Sequence, residues 1–293
     1  MASRTEQLRL WAAGARLRTL PLAIAPVALG AGSAVLANSF SPLLLGLALF
    51  VAVSLQVGVN FANDYSDGIR GTDDQRVGPP RLTASGLVQP QLVKQAAMIS
   101  FAVAALAGGT VVLLTGLWWL VLVGAAAIAA AWLYTGGSKP YGYAGFGEIV
   151  VFVFFGLVAT AGTAAIMVGR VPTEAWWTGS AAGFFAAAVL LVNNIRDIDT
   201  DTAAGKKTLA VRIGRKPAIA LLVSFLVMPY LILGVLSLVF FFAPVVFITS
   251  VLTGVIVVMV LTSKTPKDLV TALGLMSLNA LLYALGLGAA IAF

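Results

Sequence analysis

The chain has 293 residues, of which 60% are hydrophobic and 10% charged, with a mean hydropathy of +1.01 and a formal net charge of +7. This balance excludes a soluble globular domain, because apolar runs of about twenty residues, each long enough to cross a bilayer as a helix, recur from end to end. Because the chain contains no Cys and no His, thiol catalysis and His/Cys zinc sites are excluded, and a bound metal would need oxygen ligands. The bases do not cluster on one soluble face, so we expect no nucleic-acid partner.

The N-terminal residues 1–19 carry four Arg among Leu and Trp side chains, which predicts a basic amphipathic segment at the membrane surface. The apolar stretch 20–37 that follows could belong to a signal peptide. It is long for that purpose, and the rest of the chain is equally apolar. We therefore interpret it as the first membrane helix.

The long apolar stretches predict an all-α, polytopic membrane bundle. In lipid the backbone can satisfy its hydrogen bonds only in helices or closed barrels, and the alternating pattern of barrel strands is absent from this sequence. Several predicted helices have Pro near their starts, where a missing N–H costs least. The nine predicted helices span about 20–37, 42–63, 94–114, 117–134, 147–168, 174–195, 218–238, 241–262 and 269–292.

The distribution of Lys and Arg predicts the orientation of these helices. With the N-terminus in the cytoplasm, every one of the 18 Lys and Arg except Arg170 falls in or beside a cytoplasmic segment. The sequence therefore predicts a multi-pass protein of the cell (inner) membrane, with the long loops cytoplasmic and the C-terminal Phe293 outside.

Two acidic stretches, 63–74 and 193–201, each follow an apolar run and hold every Asp of the chain except Asp268. The second stretch predicts oxygen-bearing side chains at i, i+4 and i+8 of one helix face: Asn193, Asp197 and Asp201. The first stretch repeats the same step, from Asn63 to Asp67. The recurrence suggests one domain, 1–293, with possible divergent halves at 20–134 and 147–262 and a ninth helix at 269–292.

Asp and Asn also crowd into turns because they cap helices well, and a single cluster would need no other explanation. Two matching clusters that hold nearly all the carboxylates favour a site for a hard cation. The candidate ligands of that cation, with Mg²⁺ first and Mn²⁺ also possible, are Asn63, Asp64, Asp67, Asp73, Asn193, Asp197 and Asp201.

Basic residues surround both stretches and favour an anion held through the metal. The bases are Arg70, Arg76 and Arg81 near the first stretch, and Arg196, Lys206, Lys207 and Arg212 near the second, with Arg70 among the candidate diphosphate ligands. Diphosphate fits best, because metal ions and cations also stabilise it as a leaving group. A diphosphate site that opens into an apolar bundle predicts a polyprenyl diphosphate. The loop after helix four adds a single base, Lys139, and Tyr65 and Tyr134 are candidates to line the site.

These motifs resemble those of the UbiA superfamily of intramembrane aromatic prenyltransferases. The motifs are Asn63-x-x-x-Asp67-x-x-x-Gly71-x-Asp73, Asn193-x-x-x-Asp197-x-x-x-Asp201 and Tyr134-x-x-x-x-Lys139. Within the superfamily the sequence is most similar to the branch that acts on 1,4-dihydroxy-2-naphthoate in menaquinone synthesis. That similarity covers nearly the whole chain and is carried by Arg16–Pro21, Asn63–Asp74, Gly78–Arg81 with Ala84-Ser85-Gly86, and Asp201–Ala210.

The resemblance implies helices around a central cavity, two Mg²⁺ ions, and attack of the naphthoate ring on the prenyl diphosphate with loss of its carboxylate. Implied metal ligands are Asp67, Asp73, Asp197 and Asp201, with Asn63 and Asn193 assisting. Implied diphosphate ligands are Lys139, Arg81, Lys206 and Arg212, with Lys139 also counted as catalytic and Tyr134 lining the site. The wider superfamily usually has Asp where this chain has Gly71, and the menaquinone branch shares the shift to Asp73.

Two other functions stay open from the sequence. A sister enzyme acting on 4-hydroxybenzoate, homogentisate, a chlorophyllide or haem would share the metal chemistry. A transporter of divalent cations or organic anions would place ionisable groups near the bilayer midplane. Here the acidic groups of both motifs lie at helix ends, and helix interiors offer neutral residues such as Gln56 and Asn279.

Overall fold

The computed structural model describes residues 4–72 and 81–293, and the regular elements within those ranges are all helical. The α-helices are α1 Arg4–Ala15, α2 Pro21–Leu36, α3 Pro42–Ile69, α4 Pro90–Thr115, α5 Trp119–Leu133, α6 Gly147–Val151, α7 Ala159–Val168, α8 Thr173–Arg196, α9 Ile198–Ala203, α10 Leu209–Ile213, α11 Arg215–Leu236, α12 Ser250–Thr262 and α13 Pro266–Ala292. Short 3₁₀ segments lie at Leu17–Thr19, Tyr141–Ala144 and Ala243–Thr249, and a π-helical segment, Phe152–Val158, joins α6 to α7.

Each predicted range corresponds to helical structure, which confirms the all-α membrane bundle. Seven spans in the described residues are long and apolar enough to cross a membrane. Helix α2 passes the same test only together with Leu8–Thr19, across a bend of 48°, and α5 has 15 residues. The count of nine crossings and the division into halves stay predictions.

Helix α8 lies at the centre of the bundle. It packs against α2, α11, α13 and the π-helical segment, and most of its apolar length is buried. A second, smaller core joins α3 to α4 and includes Leu82 from the loop between them. These two cores fix α3 and α8, the helices that carry the two acidic motifs, on opposite sides of one internal space.

Glycines allow two of these helix pairs to meet backbone to backbone. A Cβ added to Gly156 would lie 2.4 Å from the Cα of Gly183, and one added to Gly32 would lie 2.4 Å from the carbonyl oxygen of Gly288. Small residues permit such approach between membrane helices. The contact at Gly156 holds the π-helical segment against α8.

The helix ends near the motifs differ from the predicted boundaries. Helix α3 continues to Ile69, so that Asp67 is helical rather than part of the loop. Helix α8 ends at Arg196, and Asp197 has non-helical φ and ψ of −99° and 12° before α9 begins. The backbone N–H of Asp201 still donates to the carbonyl of Asp197 at 2.7 Å, so the helical spacing survives this break.

Candidate functional site

A cavity of about 620 Å³ lies between the helices. Its walls come from α2, α3, α4, α5, the α6–α7 span and α8, and most of the side chains that line them are apolar. Polar side chains concentrate at the end where α3 and α8 finish. The cavity thus has an apolar body and one acidic end.

The acidic end is built around Lys206. Its Nζ lies 3.3 Å from Asp67 Oδ1 and 3.8 Å from Asp201 Oδ1, and all three side chains line the cavity. The Tyr143 hydroxyl donates to the same Asp67 oxygen at 2.5 Å, and Lys206 Nζ lies 4.7 Å from the centre of its ring. The structure therefore brings the two motifs together, as the sequence predicted, and joins them through a lysine and a tyrosine.

The second motif also faces the cavity despite the break at Asp197. Asn193, Asp197 and Asp201 all line it. Arg196 donates to both carboxylate oxygens of Asp197, at 2.7 and 2.6 Å, which fixes that carboxylate in place. Within the described residues no group of three acidic side chains forms a ready-made metal cluster. Asp73 lies outside the described residues.

Asp64, one of the predicted metal ligands, lies away from the cavity. It is buried, and its two oxygens accept the backbone N–H groups of Leu82 and Thr83 at 2.9 and 2.8 Å. These two charge-assisted hydrogen bonds fix the loop segment at Leu82 and Thr83 to helix α3. The neighbouring Arg81 is thereby held where it lines the cavity.

Asn63 and Arg70 both contact the loop that follows α5. The Thr135 hydroxyl donates to Asn63 Oδ1 at 2.8 Å, and Asn63 lines the cavity. Arg70 is exposed and donates to the carbonyls of Thr135 and Gly137, so it anchors this loop rather than facing the cavity.

Three other predicted site residues lie away from the cavity. Lys139 is exposed, and Arg212 is exposed and donates to the Lys207 carbonyl at 3.0 Å. Tyr65 stacks on Trp132, with ring centres 6.4 Å apart. Of the five predicted diphosphate ligands, the structure brings Arg81 and Lys206 to the cavity.

Tyrosines from the loop after α5 complete the acidic end. Tyr134 lines the cavity as predicted. Burial raises its pKa well above the ordinary value, and nearby carboxylates raise it further. Burial, then Asp67, likewise raises the pKa of Tyr143. Both phenols therefore stay neutral and can donate hydrogen bonds at physiological pH.

The lining residues that were not predicted as site residues include Arg16, Thr19, Gln56 and Asn60. Gln56 and Asn60 precede Asn63 and Asp67 at helical spacing, i, i+4, i+7 and i+11, inside an apolar run. Their position on the motif's own helix face was a signal that could have found them. Nothing in the sequence pattern places Arg16 beside them.

Comparison with known proteins agrees with this architecture. Residues 23–285 match the UbiA prenyltransferase family. The chain is 57% identical to the 1,4-dihydroxy-2-naphthoate octaprenyltransferase of Mycobacterium tuberculosis over 70% of each chain, and 38% identical to that of Escherichia coli over 70% of this chain and 68% of the relative.

Solved structures share the fold. A UbiA homolog from Archaeoglobus fulgidus bound to GPP and Mg²⁺ superposes with a TM-score of 0.69 at 16% identity, covering 97% of this chain and 99% of that one. The apo UbiA homolog from Aeropyrum pernix K1 superposes with a TM-score of 0.71 at 16% identity, covering 90% and 96%. With the family match and these relatives together, the chain belongs to the UbiA prenyltransferase family.

Proposed function

We propose that the protein transfers a polyprenyl group from polyprenyl diphosphate to 1,4-dihydroxy-2-naphthoate. The prenyl carbon–oxygen bond breaks, a ring carbon of the acceptor bonds to that prenyl carbon, and diphosphate and CO₂ leave, giving demethylmenaquinone in its reduced, quinol form. The observation that carries the proposal is the acidic end of an otherwise apolar cavity, where Lys206 joins Asp67 of one motif to Asp201 of the other. The mycobacterial relative carries the name of the same reaction.

The donor set at the acidic end suits Mg²⁺. Asp67, Asp197 and Asp201, with the amide oxygens of Asn63 and Asn193, offer only oxygen ligands at one end of the cavity. Bound there, Mg²⁺ would neutralise the diphosphate and stabilise its departure. Mn²⁺ accepts the same ligands, and Asp73 joins this set on sequence grounds alone.

Arg81 and Lys206 hold the diphosphate in this proposal. Both are buried and line the cavity, whereas the predicted ligands Arg70, Lys139 and Arg212 are exposed. Ion pairing with the two carboxylates holds the buried Lys206 ammonium at its site before substrate binds. It can then turn one of its three N–H donors to a phosphate oxygen.

The apolar body of the cavity accommodates the prenyl chain and keeps water from the reacting carbon. Phe154 and Phe155, at the π-helical segment, contribute aromatic surface to it. Exclusion of water protects an allylic cation from hydrolysis, and aromatic faces attract cations.

The deciding experiment incubates membranes containing the protein with Mg²⁺, a labelled polyprenyl diphosphate and a panel of aromatic acids, followed by mass analysis of the lipid products. We expect a prenylated naphthoquinol only with 1,4-dihydroxy-2-naphthoate, and none with excess chelator. A product from 4-hydroxybenzoate or homogentisate instead would identify a sister enzyme. Full activity in excess chelator would remove the metal from the proposal.

A further inference from the structure

The cavity contains a second polar cluster, formed by Arg16, Thr19, Gln56 and Asn60. Gln56 and Asp67 lie eleven residues apart on the uninterrupted helix α3, which is about 16 Å along its axis. Gln56 is therefore well removed from the carboxylates, with Asn60 and then Asn63 between them on the same helix face. Buried polar groups are costly unless they meet a partner, so polar atoms left without one at this end of the cavity indicate a second ligand group to be recognised there, besides the diphosphate.

The hydrogen bonds of the cluster fix the direction of the Gln56 amide. The Thr19 hydroxyl donates its one proton to the Arg16 carbonyl at 2.9 Å, so its oxygen can only accept from its other neighbours. Gln56 Nε2 donates to that oxygen at 2.9 Å and Asn60 Nδ2 at 3.2 Å. Gln56 Oε1 is buried and accepts no hydrogen bond from the described residues, which leaves it to accept one from a ligand O–H or N–H.

Arg16 supplies the complementary group. Its backbone is held at the level of Asn60, which donates to the neighbouring Ala15 carbonyl at 2.9 Å. Its φ of 53° is in the left-handed region, at the turn between α1 and the 3₁₀ segment. The side chain lines the cavity, and its buried Nη2 has no hydrogen-bond partner in the described part of the chain. A guanidinium against apolar wall is stabilised by an anion, above all a carboxylate.

We propose that Arg16 and Gln56 recognise the acceptor as an aromatic acid that also carries a ring hydroxyl. Arg16 donates to the carboxylate, and the hydroxyl donates to Gln56 Oε1. An ionised carboxylate has no proton to donate to that oxygen, so the hydroxyl is needed. The inference rests on the proposed function in one respect, that the acceptor is a hydroxynaphthoate. It adds which residues choose that acceptor and which of its groups they recognise.

The first arm of the test changes the ligand and leaves the protein intact. Full-length protein in lipid nanodiscs is titrated with 4-hydroxy-2-naphthoate and with 2-naphthoate, without prenyl diphosphate or Mg²⁺. We expect the hydroxylated acid to bind about 10-fold more tightly, as one hydrogen bond to a buried acceptor would give. Equal affinity for the two acids would overturn the role of Gln56.

The second arm changes the residues. Gln56→Met, which keeps the length of the side chain, should bring the two acids to within about 2-fold of each other by loss of tighter binding to the hydroxylated one. Arg16→Gln should weaken both acids by about 10-fold or more. Arg18→Gln, an exposed arginine that does not line the cavity, is the matched control and should bind both acids as the parent does.

Steady-state kinetics separate this proposal from its rivals. In the prenyl-transfer assay, Arg16→Gln should raise the KM for the acceptor and leave the KM for prenyl diphosphate nearly unchanged. The opposite pattern would assign Arg16 to the diphosphate and overturn the proposal. If the parent transfers no prenyl group while binding still depends on Arg16 and Gln56, the proposed function fails and the hydroxy-acid site stands.

Discussion

Lys206 is the residue on which the acidic end depends, because one ammonium group lies between carboxylates from the two motifs. Its side chain is buried, and so is most of Asp67 and Asp201. Without the lysine, two carboxylates so close together would repel each other in a poorly solvated place. The ammonium neutralises one of the two carboxylate charges before substrate and metal bind.

We predict that Asp201→Asn lowers prenyl transfer by about 100-fold or more, because the carboxylate holds the cation that stabilises the departing diphosphate. Folding should survive, since Lys206 keeps its closer contact to Asp67 and Asn has nearly the same shape. The measurements are turnover and melting temperature, each with and without Mg²⁺.

Asp268→Asn is the matched control for activity. Asp268 lies in the first turn of α13 and accepts backbone N–H groups there, away from both motifs. If Asp201→Asn retains parental activity, the acidic motif is a helix cap and the proposed metal site is wrong, because Asn caps as well as Asp.

Substitution of Asp64 should have a contrasting effect, on stability rather than on metal binding. Asparagine keeps one acceptor oxygen and turns an NH₂ group towards the second backbone N–H, so Asp64→Asn should lower the free energy of unfolding by about 1–3 kcal/mol. The Mg²⁺ concentration for half-maximal activity should stay at the parental value. Thermal melting and Mg²⁺ titration of activity measure the two effects.

Asp67→Asn is the comparison for that pair of measurements and should raise the Mg²⁺ requirement. An Asp64→Asn protein that melts as the parent does, but needs as much extra Mg²⁺ as Asp67→Asn, would restore Asp64 to the metal ligands.

At the scale of elements, the contact between the α6–α7 span and α8 forms one wall of the cavity. Gly156→Ala should destabilise the protein, because the new Cβ would lie 2.4 Å from the Cα of Gly183 and the helices would have to separate. Gly162→Ala in the same span is the control, since its Cβ would meet nothing within 4 Å. Melting temperatures of the two variants should differ, with Gly162→Ala at or above the parent; equal values would show that the close contact is not needed.

Helix positions followed from the sequence because apolar length and Pro placement are local signals. The π-helical segment did not, since its shifted hydrogen bonds leave no mark in residue pattern. The break at Asp197 was also missed, although the four-residue spacing on either side of it was right, because backbone bonds from Asp197 and Asp201 keep that spacing.

At the scale of the molecule, the chemistry of the site was predictable where it lay within one helix and unpredictable where it depended on the path of a loop. Asn63 and Asp67 were found because helical spacing decides their common face. Lys206 and Lys139 looked equivalent in the sequence, and only the fold brings the first to the cavity and leaves the second exposed. Arg16 reaches the cavity through contacts with a distant helix, which no local pattern encodes.

The orientation of the whole molecule is the last prediction. The positive-inside rule places Lys139 in the cytoplasm and Arg170 outside, with one membrane span, Gly147–Val168, between them. Both residues are exposed, and the chain has no Cys, so Lys139→Cys and Arg170→Cys each give a single reactive thiol in the otherwise unchanged protein. In right-side-out spheroplasts, a membrane-impermeant maleimide should label Arg170→Cys and reach Lys139→Cys only after permeabilisation. Labelling in the reverse order would invert the bundle and place the acidic end of the cavity outside the cell.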